Sequence, residues 1–585
     1  MHPSFRKSHT ARYCALALTF LLILCLTFGC SSRLTSTPGN KTFQEFTNEL
    51  FQQEVSSNTI SLHYTLKNPK EYGILDAPVT YGTFSADSAG TMAALENCKA
   101  ALGKFSYKKL SSKNQLTYDV LNSYLETAIK GAPYQLYDEP LSPLTGIQAQ
   151  LPVLLSEFQL NNASDIDTYL NLMETTPDYF QSLNQFETAK SEKGLFMSET
   201  SADAIIKECN SFIDMGQDNY LYSTFTERLE ALDGLTDEQR ANYEARNQEV
   251  IKNSIFPAYD TLIQTLSSLR GSGKNSSGLC YLPEGKAYYE YVVERETGSS
   301  RSVSELKQLT KNQILADLTA MQSILKSSSN PAAETARQDK KALALSEPSV
   351  ILKDLQNKIT DTFPDAPDVD TTIKYVPDIM EEYLSPAFYM IPAIDNTFSN
   401  VIYINQGRTM EGLELYTTLA HEGYPGHLYQ TVYYASLNPD PVRNILNFGG
   451  YVEGWATYAE MCSYYLAPLE KSQAALLQKN NSVILGLYAL ADIGIHEEGW
   501  TLDETAAFFR DYGISDASAV QSIYQLILGD PANYLKYYIG YVEFLELKKE
   551  AVKKWGNGFT QERFHKAVLN VGPAPFDVVE KYALE

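Results

Sequence analysis

The chain has 585 residues, 44% of them hydrophobic, and a formal net charge of -24. That excess of acid excludes nucleic-acid binding, which needs a basic face, and electrostatic docking on anionic lipid. The length allows several domains of ~100–200 residues, or one large helical enzyme with a sizeable core.

The first segment is for targeting rather than folding. Arg6, Lys7 and Arg12 precede an apolar run, Ala15 to Phe28, that is short for a membrane span and ends at small residues. The run closes with Leu26-Thr27-Phe28-Gly29-Cys30-Ser31-Ser32. This resembles a bacterial lipobox, with Thr27 where a leucine is usual. Residues 1–30 read as a lipoprotein signal, Cys30 as the lipidated N-terminus and residues 31–41 as a polar tether. A plain secretory signal is the alternative, and either places the mature protein outside the cytoplasm. Of the remaining cysteines, Cys98, Cys209, Cys280 and Cys462 show no C-x-x-C spacing. They read as buried thiols or as one or two disulfides.

From Thr42 on, the pattern is helical. Ile166 to Phe186, Ala202 to Leu232, Asp237 to Leu269, Val303 to Leu325 and Tyr534 to Trp555 carry apolar residues at mixed three and four spacing. Thr501 and Glu504 form a capping box that starts a helix. No fixed-period repeat appears, which argues against a solenoid. Lys326 to Pro348 is rich in Ser, Ala and Lys, and reads as a solvated excursion. It marks a boundary within one α-helical domain, residues 42–585, between an N-terminal lobe ending near 325 and a catalytic lobe from about 349. Ser399 to Asn405 breaks the helical rule: it is β-branched and aromatic, and predicts a short edge strand. Such an edge either aligns an extended peptide or is purely structural.

The chemistry concentrates in His421-Glu422-Gly423-Tyr424-Pro425-Gly426-His427 and in Glu453. Two imidazoles and a carboxylate are the ligand set of a catalytic zinc, with a position left for water. An adjacent carboxylate, Glu422, is what a metal-bound water needs as proton acceptor. Two histidines four apart on a helix lie ~40° apart around it; six apart, as here, they lie roughly 240° apart. Pro425 cannot donate to the His421 carbonyl, so the helix is expected to break between Gly423 and Gly426 and return His427 toward His421. Glu453 and Glu460, seven apart, share a helix face. Glu453 is assigned as third ligand and Glu460 as the carboxylate holding a ligand histidine, with the reverse as alternative. Histidine is scarce: past the signal segment only His63, His421, His427, His496 and His565 remain. His496 and Tyr537 are candidate oxyanion donors, with Tyr538 able to substitute for Tyr537 and Asp492 to orient His496. The plain alternatives are a helix-face contact for Asp492 and His496, and packing for the tyrosines. His565 reads as structural.

His421 to Gln430, Glu453 to Glu460, Asp492 to Trp500 and Phe564 to Gly572 resemble the signature blocks of the bacterial domain-of-unknown-function family 885. Blocks around Tyr288 and Tyr537 match too. Members are often lipoproteins and are regarded as zinc metallopeptidases related to the gluzincins. The resemblance implies a mainly α-helical, gluzincin-like fold around a deep cleft, one zinc ion and a peptide substrate. Two departures touch substrate contacts rather than metal: Pro531-Ala532-Asn533 stands where Pro-Gly-Gln is usual, and Lys307 where a histidine often follows Leu306. Three other classes compete with a peptidase. They are a lipid-anchored peptide- or solute-binding protein with an inactive or structural metal site, a hydrolase of non-peptide amides or esters, and a structural envelope protein without stoichiometric metal.

Overall fold

The computed structural model describes residues 40–143, 146–327, 346–376, 381, 384–408 and 410–585. The signal segment, Cys30, most of the tether and residues 328–345 of the excursion lie outside the described residues. The fold is mainly helical, with one three-stranded sheet.

Where the sequence carries clear caps, helices begin as expected. Thr501 accepts from the Glu504 N–H and Glu504 answers at the Thr501 N–H. Val303–Ser327 and Asn533–Trp555 run unbroken. Two other stretches split. Ile166 to Phe186 becomes Ala163–Glu174 and Thr176–Lys193, because Pro177 suits a first helical turn but not a helix interior. Ala202 to Leu232 becomes Glu199–Asp214 and Tyr220–Glu230, parted by Gly216 at φ 53° and restarted by the Asn219 cap. Asp237 to Leu269 continues through a π turn at Ile251–Ile255, next to Pro257, which has no N–H for the ladder.

The buried apolar residues fall into two clusters, and these divide the chain differently from a cut near residue 325. One cluster is built mainly by residues 141–266, among them Leu170, Phe180, Phe225 and Leu262. The other joins the first helices, with Phe43, Phe51 and Leu121, to most of the buried apolar residues from Tyr288 onward. The N-terminal helices therefore belong with the C-terminal body, and the intervening helices form a separate layer. Periodicity shows which face of a helix is apolar but not which neighbour covers it.

The site-building elements are helix α1 (Gly285–Thr297), strands β1 (Asp370–Tyr375), β2 (Ala387–Met390) and β3 (Ser399–Ile404), and helices α2 (Leu413–Glu422), α3 (His427–Ser436), α4 (Gly449–Ser463), α5 (Lys471–His496) and α6 (Asn533–Trp555). The sheet order is β1-β3-β2, with β1 parallel and β2 antiparallel to β3. Side chains alternate across the sheet. Phe388 and Tyr403 enter the first cluster, while Tyr389, Ile402 and Ile404 enter the second. The sheet is thus the seam between the two cores, and α2 packs against its second face.

α4 and α6 cross almost backbone to backbone. A Cβ on Gly454 would strike the backbone of Gly540, one on Gly540 the Gly450 carbonyl, and one on Gly450 the Thr297 carbonyl at the end of α1. Glycine is required there by space rather than by φ. Trp455, fully buried one residue further on, packs against Phe363 and Phe544. Burying such a ring contributes on the order of 2–3 kcal/mol.

Cys98, Cys209, Cys280 and Cys462 are free thiols. No helix among the described residues is long and apolar enough to cross a membrane.

Candidate metal centre

α2 stops at Glu422, and Gly423 follows with φ -108° and ψ -101°. Its N–H still reaches the Leu419 carbonyl at 2.9 Å, but Pro425 has none to offer His421. The Tyr424–Pro425 peptide is cis. Gly426 lies against the His421 carbonyl so closely that a Cβ would overlap it. α3 then restarts at His427, with Tyr429 donating to Gly423 at 3.1 Å and Gln430 to Gly426 at 2.9 Å. The two imidazoles, on opposite sides of an unbroken helix, here have centroids 4.8 Å apart at an interplanar angle of 80°.

The close crossing of α4 delivers the carboxylate. Trp455 Nε1 donates to the Pro425 carbonyl at 2.9 Å, tying α4 to the break. Glu453 Oε2 lies 3.6 Å from His421 Nε2 and 3.3 Å from His427 Nε2. One ligand atom from each of His421, His427 and Glu453 lies within 4.8 Å of the others, and all three residues are buried. Glu460, two turns along α4, places Oε2 3.3 Å from His421 Nδ1, and its Oε1 accepts from Asn481 Nδ2 at 3.1 Å. The structure thus brings Glu453 to the ring nitrogens that face each other, and Glu460 to the opposite nitrogen of His421.

Donor atoms at the centre are left without hydrogen bonds. His427 Nε2 and both Glu453 oxygens are buried and none of them makes one. Buried polar atoms are ordinarily satisfied, and leaving them otherwise costs on the order of 1–3 kcal/mol each. Two nitrogens and a carboxylate aimed at one point fit a divalent cation of borderline softness. In the absence of a cation, burial opposes the charge on His421, but the Glu453 and Glu460 carboxylates outweigh it and raise its pKa to about 10. Burial works against the Glu453 charge too, yet His427 and His421 hold its carboxyl well below the usual range.

Glu422 is buried beside this cluster. Its Oε2 accepts the Tyr389 backbone N–H at 2.9 Å. Burial raises its pKa, with the histidines opposing. The Tyr537 ring lies 6.3 Å from that of His421. A cavity of about 880 Å³ reaches Glu453, with Tyr288, Arg295, Glu296, Asp530 and Lys536 among its walls.

Several expectations are corrected. Asp492 does not orient His496. Its carboxylate accepts from the Tyr289 hydroxyl at 2.6 Å and the Ala532 N–H at 3.1 Å. His496 has both ring nitrogens committed to backbone: Nδ1 accepts from the Leu279 N–H at 3.2 Å and Nε2 faces the Ile527 carbonyl at 2.8 Å. Burial lowers its pKa to about 4, so it is a neutral pin between segments with no N–H left for an oxyanion. Tyr538 cannot replace Tyr537, because its ring packs over Gly486 and away from the cluster. His565 is structural as expected, bridging the Thr362 carbonyl and the Tyr458 hydroxyl. Ser399–Ile404 is a strand, but it is the central one. The edge beside the centre is β2, whose Tyr389 N–H goes to Glu422.

The roles of Tyr389, Trp455 and Lys536 could not be read from the sequence, since each acts through a contact distant in the chain. Ala532 did carry a signal: it sits at φ 66°, the left-handed region where a glycine is favoured, in the triplet where Pro-Gly-Gln is usual.

Residues 78–582 match the family described as "Bacterial protein of unknown function (DUF885)", and the chain belongs to that family. No curated protein matches it. Two solved structures resemble it in fold. One is described as "the putative lipoprotein from Colwellia psychrerythraea" (TM-score 0.80, 18% identity, covering 94% of this chain and 99% of that one). The other is "a putative lipoprotein of unknown function from Shewanella oneidensis" (TM-score 0.63, 18% identity, covering 94% and 100%).

Proposed function

We propose that the protein is a gluzincin-like zinc peptidase acting on peptides outside the cytoplasm. The observation that carries this reading is the buried set His421, His427 and Glu453, with donor atoms lacking hydrogen bonds, directly beside Glu422. Zinc held by those three residues supplies a Lewis acid and a water acidified toward neutrality.

The chain's own residues do the rest. Glu460 fixes the tautomer of His421 and raises its basicity as a ligand. Glu422, steadied by the Tyr389 N–H, takes the proton from the attacking water and delivers it to the leaving amine. Its raised pKa suits both transfers. Tyr537, beside His421, donates to the oxyanion as it forms. The cavity that reaches Glu453 takes the substrate. With both ring nitrogens of His496 committed to backbone, the catalytic role expected of it falls away.

The test combines metal analysis with cleavage of a peptide library. Wild type and Glu422→Gln should each hold one zinc per chain, with turnover falling about 10²- to 10⁴-fold in the variant, the usual worth of a general base. Equal turnover, or no stoichiometric metal, would end the reading. The N-terminal segment and the similarity to chains described as lipoproteins support a lipid anchor at Cys30. Fatty-acid labelling of cells should mark wild type and not Cys30→Ala; equal labelling would reject that anchor.

A further inference from the structure

The cavity beside Glu453 has three cations in its walls, Lys130, Arg295 and Lys536, and they differ in how far they are committed. Lys130 is paired with Glu294 at 2.7 Å. Arg295 is used up: Nε meets Glu296 at 3.0 Å, Nη1 meets Asp138 at 3.5 Å, and its guanidinium lies 5.4 Å from the centre of the Tyr291 ring. Lys536 is half-buried and makes neither a hydrogen bond nor an ion pair through its side chain with any described residue. Its ammonium lies 5.7 Å from the centre of the Tyr537 ring, the ring that neighbours His421. Its stem runs along the first turn of α4, where a Cβ at Gly449 would sit 3.6 Å from its Cδ. Glu453 is one helical turn further on and lines the same cavity.

An ammonium withdrawn from bulk water without a close acceptor is unusual, since buried charges are ordinarily paired. Burial works against its charge, but Glu296, Asp530 and Glu453, acting at longer range, outweigh it and raise its pKa. A charged donor therefore faces an open cavity next to the candidate metal centre, in a chain whose net charge is -24. Tyr288 and Tyr291 give the same cavity an aromatic wall.

We propose that Lys536 is a specificity-determining residue that takes a carboxylate of the bound peptide, at its C-terminus or on an acidic side chain. The proposal rests on the peptidase reading for the identity of the ligand, and on the unpaired ammonium for its chemistry. A lysine meets a carboxylate as a compact point charge, without the fixed fork of an arginine, so Lys536→Arg should retain much of the preference.

The experiment measures binding rather than turnover. Zinc-loaded Glu422→Gln protein is titrated calorimetrically with acetyl-Ala-Phe, with its C-terminal amide, and with acetyl-Ala-Asp-Phe amide. One of the two carboxylate-bearing peptides should bind about tenfold more tightly than the plain amide, the worth of one charge-assisted hydrogen bond. Lys536→Gln should abolish that preference, bringing the favoured carboxylate peptide to the affinity of the plain amide. Lys536→Met, which keeps the stem, serves where Lys536→Gln melts early. Preference for the free acid assigns the ammonium to the chain end, and preference for the Asp peptide assigns it to a side chain. Equal affinity for all three peptides, or a preference that survives both neutral substitutions, overturns the proposal. A Lys536-dependent preference in a protein that cleaves no peptide leaves the anion site standing and removes the peptidase reading. Cleavage without any carboxylate preference does the reverse.

Discussion

The break between α2 and α3 and the last turn of α5 each bury histidine near acid, and they use it in opposite ways. At the break, His421 and His427 point into a space shared with Glu453, where buried donor atoms find no hydrogen bonds. At the end of α5, His496 is as deeply buried, but backbone occupies both its nitrogens and Asp492 turns to Tyr289. Proximity in sequence is shared by both, so it does not separate a site from a structural pin. Hydrogen-bond satisfaction does: a pin is complete within the protein, whereas a ligand set is complete only when something else arrives.

Removing a ligand is the strongest way to break this contrast. His421→Ala or Glu453→Gln should abolish stoichiometric metal binding and turnover together, since a catalytic site has only three protein ligands to lose. Metal analysis after dialysis checks it, and full occupancy in either variant would mean that the ligands lie elsewhere. A smaller effect should follow Glu460→Gln. Losing the partner of a ligand histidine ordinarily lowers metal affinity about 10- to 100-fold while the ions remain bound at saturation. Competition with a chelator of known affinity reads this, and an unchanged dissociation constant would make Glu460 a bystander. The smallest effect at the centre should come from His496→Gln. It should leave metal content and turnover within about twofold yet destabilise the fold by roughly 1–3 kcal/mol, through unpaired backbone groups at Leu279 and Ile527. A variant with wild-type melting and crippled turnover would erase the distinction between the two regions.

The helical character, the break and the four residues it gathers were legible because local rules determine them. Pro425 denies a donor whatever surrounds it, and a separation of seven keeps Glu453 and Glu460 on one face. The pairing of Asp492 with His496 failed although its spacing was sound. Four residues apart on a helix makes two side chains neighbours, but Tyr289 and the Ile527 carbonyl, from other elements, offer better partners. The position of β3 was illegible for a similar reason: β propensity marks a strand without showing how many partners it has. The role of Lys536 could not be read either, because an uncommitted charge is defined by every acceptor that stays away from it. The extent of the two cores was equally hidden, since the first helices reach the C-terminal body across the whole intervening layer.

The bare crossing of α4 and α6 makes the third ligand answerable to positions that never touch it. Gly454 and Gly540 hold two helical axes at a spacing that one added carbon would widen, and Glu453 rides on the helix that would have to retreat. Natural variation at those sites therefore bears on the grip of the centre as directly as variation among the ligands themselves. A survey of homologous chains restricted to histidines and acids would overlook the glycines that keep them in range.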